Sequence, residues 1–221
     1  MRELIFDTET TGFDPLSGDR LIEIGLVEMV DKKLTGNNLH QYVNPEREVP
    51  ESAVKIHGLT TEFLSDKPVF TEVMDEFLEY VGDDSVLVAH NAEFDMKFIN
   101  WELENASRPI IHKKRFIDTL AIARTKFPGS PNSLDALCKR FAINNTHRTL
   151  HGALLDAEIL AEVYIELEGG RQSGMDLSVA KSSRAVIQKK KREKRTFPVS
   201  EEDLTAHAEF IKSLKDPIWN S

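Results

Sequence analysis

The stretch IFDTETTG, Ile5–Gly12, runs from apolar residues into two carboxylates, Asp7 and Glu9, set among threonines and closed by a glycine. An aliphatic run such as Leu4–Phe6 is the pattern of a central strand buried on both faces, where an ionised side chain is costly unless something compensates it. Side chains alternate along a strand with period two, so Asp7 and Glu9 point to the same side. Two like charges side by side at the end of a buried strand require a cation.

Outward from this stretch, Leu21–Val30 and Leu39–Val43 read as strands, with turn chemistry in Asp31–Asn38 between them, which predicts an antiparallel three-strand start. Helix and strand then alternate. Phe70–Val81 carries a helical apolar stripe, Val86–Ala89 is a short buried strand, Glu93–Ala106 is helical, and Phe116–Thr119 reads as a last strand. Ser133 caps a helix through Arg140, and His151–Glu168 forms a final helix stopped by Gly169–Gly170. The expectation is an α/β fold, a mixed sheet with an antiparallel start and then parallel strands, flanked by helices over residues 1–170. Residues 171–196, rich in Ser, Lys and Arg, read as a flexible basic linker, and 197–221 as a segment with one short helix that folds against a partner. Ser200 and Asp203 mark the start of that helix, and Leu204, Ala208, Ile211 and Leu214 its apolar stripe.

The bulk numbers restrict the function classes. With 221 residues, 40% hydrophobic and 29% charged, the chain has the composition of a globular protein with a full core. No apolar run approaches the roughly 18 residues that a membrane span needs, and no signal peptide is expected ahead of the first strand. A single cysteine, Cys138, cannot form an internal disulfide, which fits a reducing cytoplasm and leaves no cysteine-based zinc site. The net charge is −9, and residues 1–170 hold 17 Lys+Arg against 30 Asp+Glu, an excess of acid that argues against capture of long duplexes by a basic face.

Two further acids break apolar stripes. Asp95 lies beside Phe98 and Ile99 at helical spacing, and Asp156 aligns with Leu160, Val163 and Leu167. Each alone is compatible with a capping or dipole-favoured acid. With Asp7 and Glu9 they form a set able to converge on hard divalent cations, Mg²⁺ or Mn²⁺, and a two-metal centre accounts for this many acids. His151, followed by the small residues Gly152 and Ala153, is a candidate general base. His57 and His90, in a loop and at a strand end, read as structural histidines on their own.

The motifs FDTETTG, HNAEFD and HGALLDA, in this order and spacing, resemble those of the DEDDh class of 3′–5′ exonucleases, which have a ribonuclease-H-like fold. KIHGLT, DKPVF, DTLAIAR, NSLDALCKRF and RTLHGALLDAEILAEVY extend the resemblance, over residues 1–170, to the epsilon proofreading subunits of bacterial DNA polymerase III. The resemblance implies that Asp7, Glu9 and Asp156 hold one metal ion, that Asp7 bridges to a second reached by Asp95, and that His151 is the base. It implies further that Thr10, Thr11, Gly12, His57, Asn91 and Phe94 surround the terminal nucleotide. The substrate would be a single-stranded or frayed 3′ end of DNA.

In the tail, Gln172, Met175 and Leu177 of QSGMDL resemble a short sliding-clamp-binding motif, with a plain linker as the alternative. Lys189–Arg195 is either a contact to DNA or an acidic partner, or a solvated linker. The last segment, with Phe197, Leu204, Phe210, Ile211 and Trp219, would dock on the polymerase alpha subunit, placing the chain in a cytoplasmic replisome. The competing functions are an exoribonuclease of the same chemistry and a catalytically silent adaptor between clamp and polymerase.

Overall fold

A computed structural model describes residues 1–146, 148, 150–170 and 198–215. The apolar run around residue 5 lies in β1 (Arg2–Thr10), the middle strand of a five-stranded sheet. On one side β1 pairs antiparallel with β2 (Leu21–Val30), which pairs antiparallel with β3 (Lys33–Tyr42). On the other it pairs parallel with β4 (Val86–Ala89), which pairs parallel with β5 (Phe116–Asp118). The order is β3-β2-β1-β4-β5, so β1 stands where strand direction changes. The antiparallel start and the parallel continuation agree with the pattern of the sequence.

The turn before β3 is shorter than Asp31–Asn38. Only Asp31 and Lys32 connect the strands, both with positive φ (50° and 62°), the two-residue hairpin geometry that matches strand twist. The first part of β3, Lys33–Asn38, is an exposed edge whose side chains are mostly polar, so no apolar alternation betrays it.

Before β4 come α1 (Glu51–His57), α2 (Thr61–Leu64) and α3 (Phe70–Val81); between β4 and β5 lies α4 (Ala92–Asn105). After β5 follow α5 (Thr119–Lys126), α6 (Leu134–Phe141) and α7 (Ala153–Leu167). His57 is therefore the last residue of a helix rather than part of a loop. The final helix starts two residues later than expected, because Gly152 is extended (φ −160°) and the His151 N–H donates to the Ile56 carbonyl at 3.0 Å.

Period two along β1 divides the core. Leu4 and Phe6 face one way, into a cluster with Phe70, Phe77, Phe98 and Leu103 from α3 and α4. Ile5 faces the other way, with Val27, Ala157, Leu160 and Tyr164, under α7. A fully buried side chain of this size stabilises by about 1.5–3 kcal/mol. A third cluster, including Leu137, Ile159 and Val163, joins α5 and α6 to α7.

The chain divides into two units, 1–174 and 175–221. In the second, α8 (Glu201–Ser213) is capped by Ser200, whose Oγ accepts from the Asp203 N–H at 3.1 Å. Its Leu204 and Phe210 are exposed, as are the flanking Val199 and Leu214.

Candidate active site

The C-terminal half of β1 carries acids where its N-terminal half carries core residues. Asp7 and Glu9 continue the face of Ile5, towards α7, and Thr8 continues the face of Phe6, towards α4. Asp156 comes from the first turn of α7 and is 3% exposed; Asp95 comes from the first turn of α4 and is 3% exposed. Thr8 ties the two faces together, its Oγ1 donating to Asp95 Oδ1 at 2.7 Å. Asp7, Glu9, Asp95, Asp156 and His151 all line one cavity of about 290 Å³. Glu9, His151 and Asp156 offer ligand atoms within 4.8 Å of one another.

The electrostatics of this cavity are those of crowded, poorly solvated anions. Burial pushes Glu9 up to about 8, with the charges of Asp156, Glu23 and Asp95 adding to the shift. Burial also lifts Asp95 to about 7, against the hydrogen bond from Thr8, which favours its charged form. Asp7 is raised well above the carboxylate range, by burial first and then by Asp95, Glu9 and Asp156. One cation works in the opposite direction. The Arg148 guanidinium forks onto Asp156, Nε to Oδ1 at 2.5 Å and Nη2 to Oδ2 at 2.7 Å, and Nη1 reaches Asp135 Oδ1 at 3.0 Å. Arg148 Nη2 also lies 2.7 Å from His151 Nδ1, and since a guanidinium only donates, Nδ1 accepts in that contact. The His151 side chain is about half exposed, open to solvent at the cavity rim.

A second cavity, about 170 Å³, shares Thr8, Glu9 and Phe94 with the first and adds Thr10–Phe13, Ala53, Ile56 and His57. The Thr10 hydroxyl donates to the Gly12 carbonyl, and the Thr11 hydroxyl accepts from the Arg20 N–H. His57 Nδ1 accepts from the Leu59 N–H at 3.0 Å, and its Nε2 has no partner among the described residues. With Nδ1 accepting, a neutral ring carries its proton on Nε2, as a buried donor. Burial lowers the pKa of His57, favouring that neutral form. Asn91, in the left-handed conformation (φ 73°), opens α4 and lines the carboxylate cavity beside Phe94. His90 bonds to Thr119 and to the Asn132 carbonyl, a structural role.

Every acid and histidine singled out from residues 1–170 is thus brought to two adjoining cavities, His90 included as a wall residue. Gln172, Met175 and Leu177 lie outside the described residues, as do Lys189–Arg195, Phe197 and Trp219. Three participants were not anticipated. Thr8, between two acids of one face, necessarily faces the other. Glu23 is an acid within an apolar strand, the same anomaly that exposed Asp95 and Asp156; it is 3% exposed, pairs with His40 at 2.7 Å and stands opposite Glu9. Arg148 precedes His151 by three residues, and its sequence position carried no signal of an inward fork.

The donor set fits a hard divalent cation: carboxylate oxygens and one imidazole converge, with a single guanidinium to offset the acids. Residues 4–164 match the family described as Exonuclease (RNase_T). The DNA polymerase III subunit epsilon of Rickettsia felis is 51% identical over 97% of both chains. That of Escherichia coli is 50% identical over 78% of this chain and 73% of its own. Among solved structures, Exonuclease X in complex with 5′ overhanging duplex DNA is 31% identical, with a TM-score of 0.59 over 75% of this chain and 90% of its own. The nuclease domain of 3′hExo, a DEDDh family member bound to rAMP, shares the fold at 19% identity, with a TM-score of 0.62 over 76% of this chain and 92% of its own.

Proposed function

The chain belongs to the exonuclease family and is a proofreading 3′–5′ exonuclease; we propose that Asp7, Glu9, Asp95, Asp156 and His151 carry its chemistry as one catalytic set. The observation that supports this is the convergence of all five on a single cavity at the C-terminal end of β1. Divalent cations are required, and in this reading they are two, Mg²⁺ or Mn²⁺, whose chemistry when bound would be to activate a water and to stabilise the leaving 3′ oxygen. Asp7, Glu9 and Asp156 would hold one, and Asp7 and Asp95 the other. His151, at the open rim, takes the proton of the attacking water, and a nucleoside 5′-monophosphate leaves.

The adjoining cavity takes the terminal nucleotide. Its apolar walls, Ala53, Ile56 and Phe94, suit a base of any identity, while His57 Nε2 and the Thr10–Gly12 backbone offer polar contacts to sugar or phosphate. A site that reads little of the base edge selects errors by fraying, because an unpaired 3′ end arrives without the cost of melting a pair. Beyond the nuclease, Gln172, Met175 and Leu177 would bind a sliding clamp, and 197–221 the alpha subunit of the polymerase. No described helix is long and apolar enough to cross a membrane, and a cytoplasmic replisome is the expected setting.

The test is degradation of 3′-mispaired DNA and of matched RNA oligonucleotides with Mg²⁺ or Mn²⁺, alongside Asp7→Ala and His151→Ala. Metal-dependent cleavage that prefers mispaired DNA and vanishes in Asp7→Ala is expected, with turnover of His151→Ala lower by roughly 10²–10⁴-fold. Faster cleavage of RNA would point to an exoribonuclease. Cleavage of neither would leave an adaptor.

A further inference from the structure

Both carboxylate oxygens of Asp156 accept from the Arg148 fork, at 2.5 and 2.7 Å, and a cation shared with Asp7 and Glu9 in the same cavity would need at least one of them. The Arg148 side chain is 8% exposed, so little water screens a guanidinium from a divalent cation at the same carboxylate. Arg148 has a second anchor in the wall of the same cavity. Nη1 donates to Asp135 at 3.0 Å, and Asp135, 56% exposed on α6, is itself held by Asn145 Nδ2 at 2.9 Å. The guanidinium can therefore give up Asp156 without losing every acidic partner.

We propose that Arg148 is a built-in competitor for the cation at Asp156: its fork closes on Asp156 when no cation is bound and is retained by Asp135 when one is. Its removal from Asp156 also takes a donor away from His151 Nδ1, 2.7 Å from Nη2 and 3.1 Å from Asp156 Oδ2, so cation binding and the hydrogen bonding of the base are coupled through one side chain. This rests on Asp156 being a cation ligand. A fork that merely oriented Asp156 would have the opposite signature, because its loss would weaken cation binding; loss of a competitor strengthens it.

The experiment is calorimetric titration of the full chain with Mn²⁺ alone, without DNA. Arg148→Gln should bind Mn²⁺ roughly tenfold more tightly or better, with Arg148→Lys, which keeps a charge but not the fork, in between. In the wild-type chain, Mg²⁺ should shift the Arg148 Nε–Hε nuclear magnetic resonance signal, a readout that does not depend on any variant folding. Unchanged or weaker Mn²⁺ binding by folded Arg148→Gln, or a signal indifferent to Mg²⁺ at saturation, overturns the proposal. Absence of any Mn²⁺ binding by the wild type overturns the cation assignment of Asp156 itself, and the competition with it.

Discussion

A Cβ placed on Gly25 would lie 2.3 Å from the carbonyl carbon of Ala153, so β2 and the first turn of α7 meet backbone to backbone. Gly25 stands opposite Asp7 across the β1–β2 ladder, and Asp156 follows Ala153 by one turn. This absence of a side chain sets how closely α7 seats on the sheet, and with it the distance between acids of strand and helix. Gly25→Ala has backbone, not a yielding side chain, in its way. It should destabilise by about 1–3 kcal/mol or more and abolish most nuclease activity. Thermal melting and exonuclease assays check this; wild-type values in both would show that another contact seats α7.

Thr8→Val removes the hydroxyl that donates to Asp95 and keeps the side-chain shape. A hydrogen bond to a charged group contributes about 1.5–3 kcal/mol. The expected result is lower stability of that order, weaker Mn²⁺ binding and reduced turnover, with Thr8→Ser restoring most of each. Calorimetry and a melt of the three proteins decide it: equal Mn²⁺ affinities would remove Thr8 from the site.

Proton linkage gives a third expectation. Glu9 stands at about 8 and Asp95 at about 7 in the fold, against ordinary values of 4.5 and 3.8, so the folded chain holds these protons more tightly than the unfolded one. The associated stability is complete below about pH 4 and is lost as pH rises to about 8. In chelator, the melting temperature of wild type relative to Glu9→Gln should therefore fall across this range. Mg²⁺ should flatten the difference, since it replaces the protons it displaces. A relative melting temperature that climbs with pH in chelator would reverse the sign and refute the crowding.

Glu23 adds to the upward shift of Glu9, after burial and Asp156. Glu23→Gln keeps a hydrogen-bonding group for His40 while removing the charge. Glu9 should then ionise at lower pH, moving the acidic limb of the activity profile down and raising activity at pH 6.5 by roughly two- to fivefold. An unmoved limb would assign Glu23 to packing alone.

The sequence disclosed those parts of the molecule in which one physical requirement dominates. Buried strands and amphipathic helices show as periodic apolar residues, and Asp7, Glu9, Asp95 and Asp156 stand out because an acid in such a pattern is costly. Edge and rim elements do not obey one requirement. Lys33–Asn38 is strand although its side chains face water, and α1 is a helix of seven residues after Pro50, too short for its stripe to register. Arg148 escaped for a different reason. A guanidinium is ordinarily a surface group, and only the position of Asp156 beneath it, eight residues on, turns it inward.

The division of β1 between two core clusters has a bearing on the life of the chain before it is fully folded. Asp156 arrives with the cluster under α7, Asp95 with the cluster under α3 and α4, and Thr8 spans the strand between them. Neither half alone gathers the ligands. A chain with one cluster formed thus lacks part of the proposed catalytic set, and the set is complete only when both faces of β1 are packed.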